Sequence, residues 1–496
     1  MIENIQILYP EIFLSLSILI ILMIGVFIKN SYNLVTNLTF LTLLVLIAIL
    51  LNEKGNTLIF SEAFISDSFS IFIKILILIS SLFILYSSQV FIKDNNINKF
   101  EYPIIFLIAI LGMFFMVSSN DLILFYLGLE LQSLALYILT AIDRDNLKST
   151  ESGIKFFILS ALSSGLLLYG CSLLYGFTGS TNFEIINKEL TSENVGAVFA
   201  MVFILVGLAF KVSAVPFHMW TPDVFEGSPS SITSFFAIVP KIAGIAVFIR
   251  FMQIPFENIL IEWQSIIIFL SIASMILGAV AAIGQKNIKR LIAYSSIGHI
   301  GYALAGIATG TSSGYSSSVL YITIYAVMNL GIFGCIFLMK KDGKYTEEIK
   351  KLTVLNLPYY LNYNPQSNFY FASENSDFKV NPYRSEGSYT KYSSLDDKLD
   401  NLHFYTWFIK TGRGRCTEDA ALEIRNNIIN RDEAISLVKQ YDGEFPKTYF
   451  KDILEYLEID EKKFHEIIDK FRPEHLWKKE NKKWVLKKAV WKNLDE

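Results

Sequence analysis

Residues 122–142 read LILFYLGLELQSLALYILTAI, an apolar run long enough to cross a bilayer as a helix, with one carboxylate, Glu130, near its middle. At 1.5 Å per residue Glu130 lies roughly 12 Å along that helix, where snorkelling to either surface is difficult. Three further stretches carry a titratable group in the same way: Lys211 in VGLAFKVSAVPFHMW (206–220), Lys241 in FFAIVPKIAGIAVFI (235–249) and His299 in LIAYSSIGHIGYALAGIA (291–308). A charge in hydrocarbon costs about 2.5–3.5 kcal/mol on the mildest scale, and groups that bear this cost are more often functional than accidental. Acid and base placed on four separate spans read as a path for protons. Each group also has a structural reading: an interhelical ion pair for Glu130, a lysine on a kink carbonyl for Lys241 behind Pro240, and a neutral hydrogen-bonded imidazole for His299. Lys211 stands five residues before Pro216, so a Glu130–Lys211 pair could exchange a proton when the distance or hydration between them changes. Lys74 and Glu11 lack such a context and are read as packing or interfacial residues.

Composition agrees with a membrane protein. Of 496 residues 52% are hydrophobic and 40 are Phe, too apolar for a set of soluble domains. The excess is confined to residues 1 to about 340, and the remainder is rich in Lys, Glu, Asp and Tyr; the net charge of −3 averages two unlike parts. Cys171, Cys335 and Cys416 are far apart and offer neither a disulfide framework nor an iron–sulfur or zinc spacing. Residues 9–29 are apolar for longer than a signal core and lack a basic leader, so they are read as the first span.

Apolar windows fall at about 9–28, 34–51, 69–92, 103–117, 122–142, 154–177, 195–225, 232–249, 259–283, 291–308 and 319–339, which predicts eleven transmembrane helices. The seventh window is overlong and holds Pro216 and Pro222, the mark of a helix broken at mid-membrane. With the N-terminus outside, the inside loops carry Lys29, Lys93, Lys99, Arg144, Lys148, Lys286, Lys289, Arg290, Lys340, Lys341 and Lys344, against Lys54, Lys188 and Arg250 outside. The chain after Met339 is then expected in the cytoplasm.

The runs YLGLELQSLALYILTA, GLAFKVSAVPFHMWTPDVFEGSP, VPKIAG and KNIKRLIAYSSIGHIGY, in this order, resemble subunit N of the bacterial proton-pumping NADH:quinone oxidoreductase, respiratory complex I, from the first span to about Leu352. The resemblance implies an antiporter-like fold, shared with sister subunits and Mrp-type antiporters. It matches Glu130 and Lys211 to the family's coupled pair, Lys241 to its central relay lysine and His299 to a relay histidine. It implies partners among the other membrane subunits, with NADH, FMN, iron–sulfur clusters and quinone held by those partners and no cofactor on this chain. The bacterial inner membrane is the implied location. Nothing in the sequence points to nucleic acid or a metal site. The family has fourteen spans, with inverted five-helix repeats over spans four to eight and nine to thirteen. Eleven are found here, so the first repeat is complete and the second is truncated. One half-channel and the midplane relay remain, without the opposite half-channel.

Residues 353–496 read as a small, mainly α soluble module. Asn430 and Glu433 form a capping box before Ala434, Leu437, Val438 and Tyr441, and the spacing repeats at Phe450, Ile453, Leu454 and Leu457 and at Phe464, Ile467, Ile468 and Phe471. The run GSYTKYSSLDDKLDNLHFYTWFIKTGRGRCTEDAALEIRNNIINRDEAISLVKQYDGEFP resembles the C-terminal part of N-acetyl sugar amidotransferases of surface-polysaccharide synthesis. The nucleotide loop of those enzymes, of SGGxDS type, and their cysteine motif do not occur in this chain. Gly412-Arg413-Gly414-Arg415 is read as a solvated turn rather than a phosphate loop, and 478–493 as a solvated strand or helix that could touch anionic lipid. Three functions compete: a proton-translocating subunit with a foreign tail, a membrane-tethered sugar-modifying module, and a composite or misassembled gene product with neither activity.

Overall fold

The computed structural model describes residues 7–53, 55, 57–191, 194–341, 344–349, 364–376, 378–393, 397–480 and 483–491. The chain divides into two compact units, Met1–Leu352 and Thr353–Glu496. The described part of the first contains α1 (Tyr9–Phe27), α2 (Tyr32–Leu51), α3 (Ser68–Asp94), α4 (Glu101–Val117), α5 (Leu122–Thr140), α6 (Leu147–Thr178), the short α7 (Phe183–Glu189), α8 (Val195–Val212), α9 (Trp220–Gly227), α10 (Ser230–Gln253), α11 (Leu260–Ile283), α12 (Ile288–Ala308) and α13 (Ser312–Ile336). Among the described residues ten helices are long and apolar enough to cross a membrane, and α4, at 17 residues, is the eleventh of the expected set. The ends of the windows moved where polar residues extend a helix. α6 begins at Leu147 under an Asn146 cap, and α13 begins at Ser312 under a Thr311 cap.

Short polar side chains mark the helix starts. Asp67, Asp121, Asn146, Asn194, Asn287 and Thr311 each accept from a first-turn backbone N–H, satisfying donors that the membrane would leave bare. A two-stranded hairpin, β1 (Thr57–Ile59) with β2 (Phe64–Ser66), follows α2. Several helix pairs meet at glycine, among them α4 with α5 and α11 with α12. A Cβ on Gly112 of α4 would come within 2.5 Å of the Gln132 backbone N on α5, and one on Gly278 of α11 within 2.6 Å of the Gly298 backbone N on α12. α10 runs through the centre of the unit, and every residue of its apolar window is buried.

The seventh window is broken, but before Pro222. α8 ends at Val212, Ser213 takes a left-handed φ of 68°, and Pro222 stands in the first turn of α9, where proline is tolerated. Freed backbone groups find partners: Val215 N–H donates to Ser274 Oγ at 2.9 Å, and Trp220 Nε1 donates to the Phe210 carbonyl at 3.0 Å.

In the second unit α14 (Pro365–Asn375), α15 (Asp400–Thr411), α16 (Arg415–Arg425), α17 (Arg431–Tyr441), α18 (Phe450–Tyr456) and α19 (Glu461–Lys470) precede a hairpin of Trp477–Glu480 with Lys483–Leu486. The last three helices are those the spacing predicted, with the Asn430–Glu433 box in place. Part of the aromatic stretch 358–371 lies outside the described residues, and its end forms α14. In the Lys-rich end Trp477–Glu480 and Lys483–Leu486 are strands. Gly412 is the left-handed cap of α15, while Gly414 N–H and the Thr417 hydroxyl donate to Asp442 at 2.9 and 2.5 Å. The GRGR run is therefore a pinned helix connection rather than a free turn.

Candidate proton-transfer site

The four titratable groups read from the sequence occupy α5, α8, α10 and α12, and they fall into two sets. In the first, Lys211 Nζ at the end of α8 donates to Ser133 Oγ of α5 and Ser160 Oγ of α6, each at 2.8 Å. Glu130 lies one turn before Ser133 on the same helix. Its Oε1 is buried without a hydrogen-bond partner, and no ion pair within 4.0 Å joins it to Lys211 among the described residues. Two serines thus stand in the lysine's first contacts, while the carboxylate keeps an unfilled acceptor. A cleft of about 460 Å³, lined by Lys99, Tyr137, Arg144, Thr150 and Phe157, reaches Tyr137, one further turn along α5.

The second set is centred on Lys241, which is 1% exposed. Its ammonium donates to Ser296 Oγ of α12 and lies 5.7 Å from the Phe225 ring centre. Ser296 Oγ is 2.7 Å from Tyr325 Oη of α13, and Tyr325 donates its single proton to the Ala237 carbonyl at 2.9 Å. The direction of the chain is thereby fixed: Lys241 donates to Ser296, Ser296 to Tyr325, and Tyr325 to a carbonyl one turn before Lys241. His299 is beside this chain rather than in it. Its Nδ1 is 2.7 Å from Tyr321 Oη, and its ring centre is 5.1 Å from that of Tyr325.

Sequence reading missed the hydroxyls of Ser133, Ser160, Ser296, Tyr321 and Tyr325, because serine and tyrosine are common in apolar helices and only the fold aims them. It missed His218, between α8 and α9, whose Nδ1 is buried without a partner. Of the two readings of Lys74 and Glu11, packing or interfacial, the structure gives the buried one, as an ion pair that the sequence did not signal: Lys74 Nζ is 2.6 Å from Glu11 Oε1, with side chains 0% and 2% exposed. They stand 63 residues apart, a separation over which no local pattern signals a pair. At the other end of the bundle Arg290 joins Asp223 and Glu226 of α9 at 2.7 and 3.1 Å, and Lys289 joins Glu347 at 2.7 Å.

Residues 119–359 match the family described as NADH:quinone oxidoreductase/Mrp antiporter, TM, and residues 386–490 match that of the LPS biosynthesis protein WbpG-like, C-terminal domain. NADH-quinone oxidoreductase subunit N of Pelagibacter ubique is 56% identical over 356 residues, covering 71% of this chain and 76% of that protein. Subunit N 1 of Rhizobium meliloti is 49% identical over 360 residues, covering 72% and 75%. A chain of respiratory complex I from Thermus thermophilus superposes with a TM-score of 0.57 at 30% identity, over 65% of this chain and 69% of that one. A chain of the Mrp complex from Dietzia shares the fold, with a TM-score of 0.59 at 20% identity over 67% and 65%. The first unit is thus a multi-pass membrane subunit of the complex I type, and the chain belongs to the subunit N family of NADH-quinone oxidoreductases, followed by a segment of the WbpG-like C-terminal family.

Proposed function

We propose that the chain is a proton-translocating membrane subunit of a NADH:quinone oxidoreductase, with Glu130, Lys211, Lys241 and His299 as its relay groups. The observation that carries this reading is the buried Lys241 at the head of a directed hydroxyl chain. A proton leaving Lys241 is taken by Ser296 as Ser296 passes its own proton to Tyr325. The chain then stops, since the Ala237 carbonyl binds a proton only weakly. Onward transfer requires the Tyr325 hydroxyl to leave Ala237 for a group that accepts, and the His299–Tyr321 pair lies alongside. On the other side, Lys211 reloads through Ser133, Ser160 and Glu130 when water fills the space between them. NADH, FMN, iron–sulfur clusters and quinone belong to partner subunits in this reading. In this reading the N-terminus is outside and the tail in the cytoplasm of a bacterial inner membrane, which the basic-loop asymmetry supports.

Pumping by this chain is impaired in the same reading, because among the described residues the second repeat has three helices and no outward half-channel. A composite product with an inactive sugar-amidotransferase tail is the second reading; it is favoured by a tail that matches a C-terminal domain family alone. The test is lysine replacement at the position matching Lys211 in a full-length relative. Lys211→Ala should lower proton pumping on the order of 100-fold while the complex still assembles. Lys211→Arg should rescue poorly, since a guanidinium does not release its proton. Normal pumping by the Ala variant would reduce Lys211 to a structural group.

A further inference from the structure

A set of charges at the ends of α1 to α3, with Glu11 and Lys74 buried and Glu53 half-buried, takes no part in the relay above. Glu11 of α1 and Lys74 of α3 form the ion pair already described, and Glu53, just past the end of α2, accepts from Ser66 Oγ at 2.6 Å. Lys74 Nζ also lies 5.2 and 5.4 Å from the ring centres of Phe64 and Phe114, aromatic faces that favour an ammonium. Glu53 feels both the Lys74 charge and the Glu11 carboxylate. Two carboxylates therefore share one cation. Among the described residues the nearby Asp67 and Arg250 neutralise each other at 2.6 Å, and Lys54 lies outside the described residues. An uncompensated negative charge in a site of this dryness is costly, and such pairs relieve it by binding a proton. Two atoms ask for that proton: Glu11 Oε2 and Glu53 Oε2 are both buried without a hydrogen-bond partner. A proton on either turns an orphan acceptor into a donor, directly or through a water, for the other.

We propose that Glu11, Glu53 and Lys74 form a proton-binding site, separate from the Glu130–Lys211–Lys241 line, in which Glu53 holds one proton at neutral pH beside the ionised Glu11–Lys74 pair. Burial, aided by the repulsion of Glu11 and opposed by the pull of Ser66 and Lys74, raises the Glu53 carboxyl above its ordinary range. The site stands where α1 begins, α2 ends and the β1–β2 hairpin covers the bundle, so a proton held there is close to one membrane surface. The ligand is a proton rather than a metal ion, because Lys74 already fills the position a cation would take.

Infrared difference spectroscopy on the full chain in lipid vesicles tests this, with dicyclohexylcarbodiimide, a reagent for protonated carboxyls in apolar surroundings, as a second probe. At neutral pH the wild type should show a protonated-carboxyl band that loses the amplitude of one group in Glu53→Gln and keeps it in Glu130→Gln. The reagent should modify Glu53 of the unmutated chain, located by mass spectrometry, and the modification should fall as pH rises. An unchanged band in Glu53→Gln, an unmodified Glu53 in the wild type, or a band displaced by sodium ions at constant pH would each overturn the proposal.

Discussion

The two repeats of the membrane unit begin alike and end differently. Each opens with a helix pair brought together at glycine, α4 with α5 through Gly112 and Gly128, and α11 with α12 through Gly278 and Gly301. In the first repeat the pair is followed by α6, by the broken α8–α9 and by α10, which is buried throughout. In the second it is followed by α13 alone among the described residues, and a third of the apolar window of α13 is buried, with Leu320, Ile324 and Val327 exposed at 62, 56 and 64%. The lesson is that the starting pair and the closing helices are separable. Glycine contacts assemble a pair locally, whereas enclosure of a charge needs the later helices. Lys241, on the last helix of the first repeat, is enclosed by both halves, since Ser296 and Tyr325 come from the second.

If the two pairs are built on one plan, filling either glycine should cost the most of any change. Gly112→Val and Gly278→Val drive a side chain into opposing backbone and should each destabilise by about 3 kcal/mol or more, whereas Gly165→Ala, with nothing within 4 Å, should stay within about 0.5 kcal/mol. Thermal unfolding of the detergent-solubilised chain measures this, and tolerance at Gly278 alone would break the equivalence. Next in size is the link that closes the first repeat against α3. Arg250 at the end of α10 holds Asp67 through two hydrogen bonds of 2.6 and 3.0 Å, so Arg250→Ala should cost about 3 kcal/mol by leaving a carboxylate unpaired. Burial pushes the Asp67 carboxyl up, but the Arg250 guanidinium and the Ser70 N–H outweigh it and hold it below the usual aspartate range. The stability it contributes is thus full above about pH 3.9 and is lost as pH falls through the lower folded value. Acid titration of unfolding should show that loss in the wild type and not in Asp67→Asn. The smallest effect belongs to the open end: Ser318 Oγ ties α13 to the Ala303 carbonyl of α12 at 2.8 Å, and Ser318→Ala should cost about 1 kcal/mol, read as faster backbone hydrogen exchange along α13.

Spans and their charges were legible because a Glu, Lys or His inside an apolar run has no neighbours to hide it, and the break was legible from Pro216. What was not legible is what each charge touches. Lys241 reaches Ser296 from 55 residues away and Lys211 reaches Ser133 from 78, and nothing in the local pattern of either partner marks it. The Glu11–Lys74 pair was not legible for the same reason: its members stand 63 residues apart and neither local pattern points to the other. In the tail, α17 to α19 were legible from caps and a 3.6-residue spacing, while the GRGR run depended on Asp442, a partner supplied from the end of α17.

The central claim is that residues up to about 340 hold a sound first repeat and relay, and that what is wanting is the closure of the second. The direct measurement is proton pumping in a strain lacking its own subunit N, comparing this chain with a chimera in which everything after residue 349 is replaced by the last three spans of the Pelagibacter ubique relative. The account predicts that both insert, that the chimera pumps and that this chain does not. Pumping by the unaltered chain, or a chimera that inserts but stays silent, would contradict it.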